Sequence, residues 1–130
     1  MKLPVHYEHG TVISFGGVPA TFETFKDCQA TILPIPLEHT TSYVQGTKNG
    51  PREILQASTQ IELWDEEQSQ EVYDIGVMTL PEMEFSLKDL SGSLNEIKRF
   101  SHAVLGNKKF LVALGGEHSI TAPMVEAAAA

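Results

Sequence analysis

A histidine that follows a pair of glycines is the residue of this sequence best placed for chemistry. It comes directly after the apolar segment 109–114 (KFLVAL). The run reads Gly115, Gly116, Glu117, His118 and Ser119. Glycine has no Cβ, so the backbone can turn sharply and a helix can begin close to a bound ion or substrate. Imidazole is a common ligand for first-row divalent metals, and the residue on either side could orient the ring by a hydrogen bond.

The local sequence leaves more than one interpretation of His118 open. The ring can bind a metal, or it can cap the following helix or satisfy a hydrogen bond in the core. A third interpretation is a nucleotide-binding turn, in which the glycines and the helix amino end hold a phosphate. The turn carries neither G-x-G-x-x-G nor a Gly-Lys-Ser/Thr pattern, which argues against nucleotides. Because one histidine does not make a metal site, the elements that position it matter.

Four apolar segments of strand length predict a sheet. They are residues 30–36 (ATILPIP), 60–64 (QIELW), 72–78 (VYDIGVM) and 109–114. The first of these is a continuous apolar run, which is typical of parallel strands that are covered on both faces. Two prolines in the first segment argue against a central position for it, because each removes a donor from the ladder.

Helix signals alternate with these strands. After the polar segment 37–49, Pro51 and then Glu53 mark a helix start, with an apolar side expected from Ile54, Leu55 and Ile61. The clearest amphipathic helix covers 87–105, and a glycine and an asparagine end it. Its apolar positions are Leu90, Leu94, Ile97 and Val104. An alanine-rich helix then runs to Ala130.

This alternation predicts a doubly wound α/β sheet. Ligands of such sheets gather outside the carboxyl ends of the strands, where His118 would lie. A chain of 130 residues, 42% hydrophobic and 20% charged, forms one domain. Residues 1–26 predict an irregular N-terminal arm, and residues 27–130 form the α/β part.

Composition excludes several classes of partner. With 17 acidic and 9 basic residues the formal net charge is -8, which disfavours nucleic acid. No apolar run approaches the roughly 20 residues of a membrane helix, and no signal pattern opens the chain, so we expect a cytoplasmic protein that does not bind membranes. The single cysteine, Cys28, forms no internal disulfide and is expected to be a small buried side chain.

The other candidate residues favour structural roles. The acidic run 65–67 is typical of a solvated turn, and Trp64 and Tyr73 predict core or interface aromatics. Arg52, near a helix start, is expected to form a salt bridge, with Glu53 or an acid elsewhere. His39 could contact substrate, although a solvated loop histidine is more common. Three further histidines have no partner at ligand spacing: His6, His9 and His102.

The GGEHS turn and the segment 46–54 together resemble the arginase/agmatinase (ureohydrolase) family. The turn resembles the first metal-binding motif of the family, and Gly46-Thr47 with NGPREI at 49–54 resembles its entry loop and first helix. The resemblance covers about residues 30–125. It implies a three-layer α/β/α fold with a mostly parallel sheet. It also implies two Mn²⁺ ions bridged by a hydroxide that attacks a guanidinium carbon and releases urea, with His118 as a terminal ligand of one ion.

The resemblance carries a substrate class and some departures. Glu117 stands where the family more usually has Asp, which favours its agmatinase-like members and hence agmatine hydrolysis to putrescine and urea, in polyamine biosynthesis. The loop 37–45 departs from the family's glycine-rich version, so guanidinobutyrase, formimidoylglutamase and arginase activities stay as alternatives.

The ligand motifs Asp-Ala-His-x-Asp and Asp-x-Asp of the family do not occur in this sequence. We therefore expect the N-terminal portion of a ureohydrolase domain that stops inside its last helix. Such a chain alone should be inactive, with manganese absent or partial. A non-catalytic α/β fragment is the alternative. Such a fragment would self-associate, since its last strand would expose an unpaired edge. We also expect a homo-oligomer.

Overall fold

A computed structural model describes residues 13–18, 25–85 and 89–130. Most of the predicted arm, with His6 and His9, lies outside these ranges. The strands are β1 (Ala30–Ile35), β2 (Trp64–Asp65), β3 (Gln70–Glu71), β4 (Val77–Thr79) and β5 (Phe110–Gly115). The helices are α1 (Gly50–Ser58), α2 (Leu90–Gly106) and α3 (Thr121–Ala129). None of the helices in the described part of the chain has the length and apolar character needed to cross a membrane.

The main sheet has three parallel strands in the order β4-β1-β5. β1 and β5 pair along their whole length, from Ala30 opposite Phe110 to Ile35 opposite Gly115. β5 lies at an edge of this sheet, as its position in the predicted alternation suggested. The predicted strand at 109–114 and the helices predicted after Pro51 and within 87–105 are confirmed. A mostly parallel sheet with helices is therefore the fold of the described residues.

The central position of β1 contradicts the expectation based on its prolines. Pro34 lies inside the strand and is opposite Leu114 of β5. The carbonyls of Ile32 and Pro34 accept hydrogen bonds from Leu80 and Met83, on the β4 side of β1. The missing donor of Pro34 therefore faces that side, where pairing with β4 has already ended. No ladder bond to β5 is lost, so proline is tolerated.

The hydrophobic core lies between the sheet and α2. Leu33 and Ile35 of β1 are fully buried and belong to one cluster with the buried face of α2. The apolar residues of that face are Ile97, Phe100 and Val104. Leu55 of α1 is also buried but lies outside this cluster. Because crossovers between parallel strands are right-handed, α1 and α2 are expected on opposite faces of the sheet, which agrees with their separate packing.

Local signals explain where α2 begins and ends. The side chain of Asp89 accepts a hydrogen bond from the N–H of Gly92 at 3.0 Å and caps the helix. At the other end, Asn107 is the C-cap, and its side-chain amide donates to the carbonyl of Ala103 at 2.7 Å. His102 is exposed on this helix, as its position predicted.

The strand predicted at 60–64 is wrong. Gln60 and Ile61 donate hydrogen bonds back to Ala57 and Ser58, so this segment continues as a turn from the end of α1. Only Trp64 and the next residue form a strand, which pairs antiparallel with β3 outside the main sheet. Asp65 ends this strand, and Glu66 and Glu67 begin the exposed turn of the hairpin, so the predicted solvated turn is confirmed for these two acids.

The strand predicted at 72–78 is correct only in its last part. Val72–Ile75 is a 3-10 helix, and the chain turns at Gly76, which has a positive φ of 78°. A Cβ at Gly76 would lie 2.8 Å from the Cα of Cys28. The strand therefore starts only after this glycine, where the backbone passes close to the start of β1.

Several side chains differ in burial from the prediction. Trp64 is 53% exposed. Ile54 and Ile61 are also exposed, so Leu55 is the one buried residue of the predicted apolar side. Arg52 is exposed and forms no ion pair among the described residues, so its expected salt bridge is absent there. Cys28 is a buried free cysteine, as expected.

Candidate functional site

The turn after β5 carries the predicted site residue to the carboxyl end of the sheet. His118 begins a short 3-10 helix, His118–Ile120, that leads into α3. Its imidazole is exposed, and Nδ1 lies 3.5 Å from the hydroxyl of Thr121. Nε2 makes no hydrogen bond with any residue that the structure describes. The sequence therefore places one accessible imidazole where ligands of parallel sheets bind.

Close backbone packing fixes the path of this turn. A Cβ at Gly116 would lie 2.6 Å from the carbonyl oxygens of both Ile35 and Leu37, and the residue has a φ of +28°. The N–H of Glu117 donates to the carbonyl of Leu37 at 2.8 Å. Only glycine fits at this approach, so the glycine pair brings the turn into direct contact with the segment after β1.

The amino end of α1 holds the turn from another direction. The hydroxyl of Thr47 donates to the carbonyl of Gly116 at 3.0 Å. A Cβ at Gly50 would lie 3.0 Å from the carbonyl oxygen of Gly115. The segment 46–54 and the GGEHS turn, which carried the resemblance in the sequence, therefore meet in space.

Glu117 is the most constrained side chain of this region. It is only 7% exposed, and its carboxylate accepts four hydrogen bonds. The N–H groups of His39 and Thr40 donate to Oε2 at 2.6 and 2.7 Å, and the hydroxyls of Thr40 and Ser119 donate to Oε1 at 2.8 and 2.6 Å. Burial is the largest single influence and favours the neutral acid, but the hydrogen bonds from Ser119, Thr40 and His39 together outweigh it. They lower the pKa of Glu117 to about 2, so the group is ionised at neutral pH.

The expected orientation of His118 by its neighbours is not seen. The hydroxyl of Ser119 donates to Glu117, and Glu117 in turn accepts hydrogen bonds from the loop after β1. Thr121, one turn further on, is the residue nearest the imidazole nitrogen. Sequence reasoning missed Thr40 and Thr121 as partners, and no local pattern marks them, because their role follows from where the chain brings them. His39 is exposed, and its N–H contacts Glu117.

A cavity of about 460 Å³ is lined by Leu37 and His39, whose main-chain groups bond to Glu117 of this turn, and by no residue of the turn itself. Its walls come from both ends of the loop that follows β1 and from the segment after β4. Among the lining residues are Leu37, Met83 and Phe85, which are apolar, and Glu38, Glu82 and Glu84, which are acidic. Lys48 also lines it. The cavity therefore combines apolar walls with an excess of negative charge, which suits a cationic aliphatic molecule.

The residues present fit one ligand position of a divalent metal site. His118 offers an exposed imidazole with one nitrogen that no described residue engages. Among the described residues, no group of three or more His, Cys, Asp or Glu side chains is arranged to hold a metal. His118 can thus supply a single ligand, and the others would have to come from outside these residues.

Comparison with known proteins agrees with this geometry. The sequence matches the Arginase family over residues 28–130. It is 37% identical, over 109 residues, to the N(1)-aminopropylagmatine ureohydrolase of Synechocystis sp., covering 80% of this chain and 36% of that protein. The agmatinase of Bacillus subtilis is 23% identical over 103 residues, which are 79% of this chain and 36% of that protein. The chain thus spans about a third of the length of these relatives.

Solved structures show the same fold. The agmatine ureohydrolase of Thermoplasma volcanium matches with a TM-score of 0.75 and 28% identity, covering 81% of this chain and 36% of that one. The formimidoylglutamase of Bacillus subtilis matches with a TM-score of 0.77 over 99% of this chain and 41% of that one, at 20% identity, which shows likeness of fold alone. With its glycine turn at the end of a parallel strand and a match over most of its length, the chain belongs to the arginase family.

Proposed function

We propose that the protein hydrolyses a linear guanidino compound and releases urea, with His118 as one ligand of a manganese centre. The observation that carries this proposal is the family membership of residues 28–130 together with the exposed imidazole at the carboxyl end of β5. When bound, paired divalent ions would lower the pKa of a water molecule and stabilise charge in the transition state. The described residues hold the turn that presents His118.

The names of the relatives favour a polyamine-like substrate. Three relatives named N(1)-aminopropylagmatine ureohydrolase are 28% to 37% identical to this chain. Those named agmatinase are 23% to 26% identical. We therefore place N(1)-aminopropylagmatine before agmatine itself as the substrate, which refines the expectation from the sequence.

The cavity beside the turn supports a cationic substrate. Its acidic residues would attract the amino groups of such a molecule, and Leu37, Met83 and Phe85 would contact its methylene chain. In this proposal the guanidinium group points toward the turn of His118. The amine end then occupies the acidic part of the cavity.

A urea assay tests the proposal. The protein encoded by the complete gene would be incubated with N(1)-aminopropylagmatine, agmatine, arginine and guanidinobutyrate, with and without Mn²⁺. We expect urea from the first two substrates only when manganese is present. Absence of urea from every guanidino compound would remove the enzymatic assignment.

A histidine pair tests the metal ligand. His118→Ala should weaken manganese binding by about 10-fold or more, because a ligand is lost. His102→Ala, which changes an exposed histidine on α2, is the matched control and should leave the affinity unchanged. Equal manganese affinity in both variants would contradict the role of His118.

Homo-oligomerisation is a further proposal, and light scattering of the same preparation would measure it.

A further inference from the structure

The loop between Glu38 and Lys48 is held at both ends by carboxylates. At its start, Oε2 of Glu117 accepts the N–H groups of His39 and Thr40. Near its end, Oε2 of Glu38 accepts the N–H groups of Gly46 at 2.6 Å and Lys48 at 3.1 Å. The second set lies within the loop, whereas the first joins the loop to the turn of His118.

The hydrogen bonds that Glu117 accepts fix the loop more specifically than side-chain packing would. Two of its four donors are main-chain groups of the loop, which any loop side chain would leave in place, and the hydroxyl of Thr40 adds a third bond from the loop. Hydrogen bonds to an ionised acceptor are about twice as strong as neutral ones, and here the acceptor is buried. A buried carboxylate with four donors therefore holds His39 and Thr40 in one place relative to the glycine turn.

The loop that Glu117 holds is also a wall of the cavity. The cavity is lined by Leu37, Glu38 and His39 at one end of the loop and by Lys48 and Asn49 at the other. A shift of the first end would therefore change the shape of the cavity and the position of Glu38, one of its acidic groups. The middle of the loop is exposed, so packing of its side chains against the protein does not hold the loop in place there.

We infer that Glu117 is a positioning residue for substrate binding, which acts by holding the loop between Glu38 and Lys48 against the turn of His118. This inference rests on the proposed function, because it assigns the adjacent cavity to the amine part of the substrate. Glu117 does not touch the substrate in this arrangement. It sets the wall that does, and its removal should affect binding of substrate more than the chemical step.

Amide hydrogen exchange of the complete protein tests the attachment without any activity. In Glu117→Ala the peptide that contains His39 and Thr40 should exchange at least about 10-fold faster than in the wild type, because its two N–H groups lose their acceptor. The peptide of α2 should exchange as before, which shows that the variant is folded. Glu67→Ala, an exposed acid in the hairpin turn, is the charge-matched control and should change neither peptide. Unchanged exchange at His39 and Thr40 would overturn the inference.

Steady-state kinetics with manganese present test the consequence. Glu117→Ala should raise KM about 10-fold and change kcat less than about 3-fold, since only interactions of the bound substrate are weakened. Glu117→Gln keeps the length of the side chain and one oxygen for the two N–H groups, so its KM should rise less than that of Glu117→Ala. A fall in kcat with unchanged KM would overturn the role in substrate binding. If the wild type releases no urea, the proposed function fails and the substrate role with it, while exchange still shows whether the carboxylate holds the loop.

Discussion

The turn after β5 and the hairpin of β2 and β3 are stabilised in different ways. At the carboxyl end of the sheet, the turn after β5 has a buried carboxylate with four donors and a glycine pressed against two carbonyl oxygens. In contrast, apolar side chains are exposed in the hairpin of β2 and β3 and in the segments next to it. These are Ile61, Trp64, Val72 and Ile75.

This difference indicates which positions tolerate substitution and which do not. Main-chain hydrogen bonds and contacts under 3 Å admit one residue type at a position, because nothing nearby can move away. A half-exposed apolar side chain loses little when it is shortened. We therefore expect a gradient of effects, large at the turn after β5 and small in the hairpin.

Gly116→Ala should have the largest effect. Its Cβ would lie 2.6 Å from two carbonyl oxygens, and the backbone has a φ of +28°. We expect the free energy of unfolding to fall by about 3 kcal/mol or more, because strain and a steric clash add. Urea denaturation followed by circular dichroism would measure it.

Gly106→Ala is the matched control for this change. Gly106 lies in the last turn of α2, and a Cβ there meets nothing within 4 Å. Alanine has the higher helix propensity, so the protein should be equally stable or gain up to about 1 kcal/mol. A loss at Gly106 as large as that at Gly116 would show that the turn after β5 is not special.

The pH dependence of stability should also be concentrated at the turn. The pKa of Glu117 is lowered in the folded state from its ordinary 4.5 to about 2. Its ionised form therefore stabilises the fold fully above about pH 4.5, and this contribution is lost as the pH falls toward 2. In the metal-free protein, the wild type should exceed Glu117→Gln by up to about 3 kcal/mol at pH 7, and the gap should close near pH 2.

Glu67→Gln provides the control for this titration. Glu67 is exposed in the hairpin turn, so its replacement should give the same small difference at both pH values. Guanidinium chloride unfolding curves at pH 7, 4.5, 3 and 2 would show the window. A gap between wild type and Glu117→Gln that does not narrow with acid would contradict the assigned pKa.

The sequence predicted the elements whose signals are local. The amphipathic period of α2, the proline at the start of α1 and the apolar run of β5 each contain their own evidence, and all three elements are present. The strand predicted at 60–64 failed, because main-chain bonds to the end of α1 override its apolar character. The prediction that β1 is not a central strand was wrong. The effect of Pro34 depends on which side of the strand its nitrogen faces, and only the strand pairing shows that side.

The candidate site was predictable in position and less so in its contacts. The place of His118 follows from the glycine turn after a strand. The partners of Glu117 do not, since His39 and Thr40 lie 78 and 77 residues away in the chain. No local spacing could indicate them. Ligation of metal by His118 stays a prediction that the manganese measurements above address.

Thr47→Val should have an intermediate effect at the turn. The change keeps the shape of the side chain and removes the hydroxyl that donates to the carbonyl of Gly116. We expect a loss of about 1 kcal/mol, the usual net value of one hydrogen bond. Thr59→Val, which removes an exposed hydroxyl bonded to Gln56 at the end of α1, should cost less, below about 0.5 kcal/mol. Equal losses in urea denaturation would contradict the difference between the two positions.

Trp64→Ala should have the smallest effect, despite the size of the side chain. Replacing a fully buried tryptophan by alanine lowers the free energy of unfolding by about 3–5 kcal/mol. Trp64, however, is 53% exposed and lies in a two-residue strand. We expect a loss of about 1 kcal/mol or less, while Leu33→Ala in the core should cost about 2–5 kcal/mol. Trp64 is the single tryptophan of these 130 residues, so the fluorescence of this chain reports on this region alone. Ready quenching by acrylamide is expected, and a protected tryptophan would mean that the hairpin surface is covered in the protein in solution.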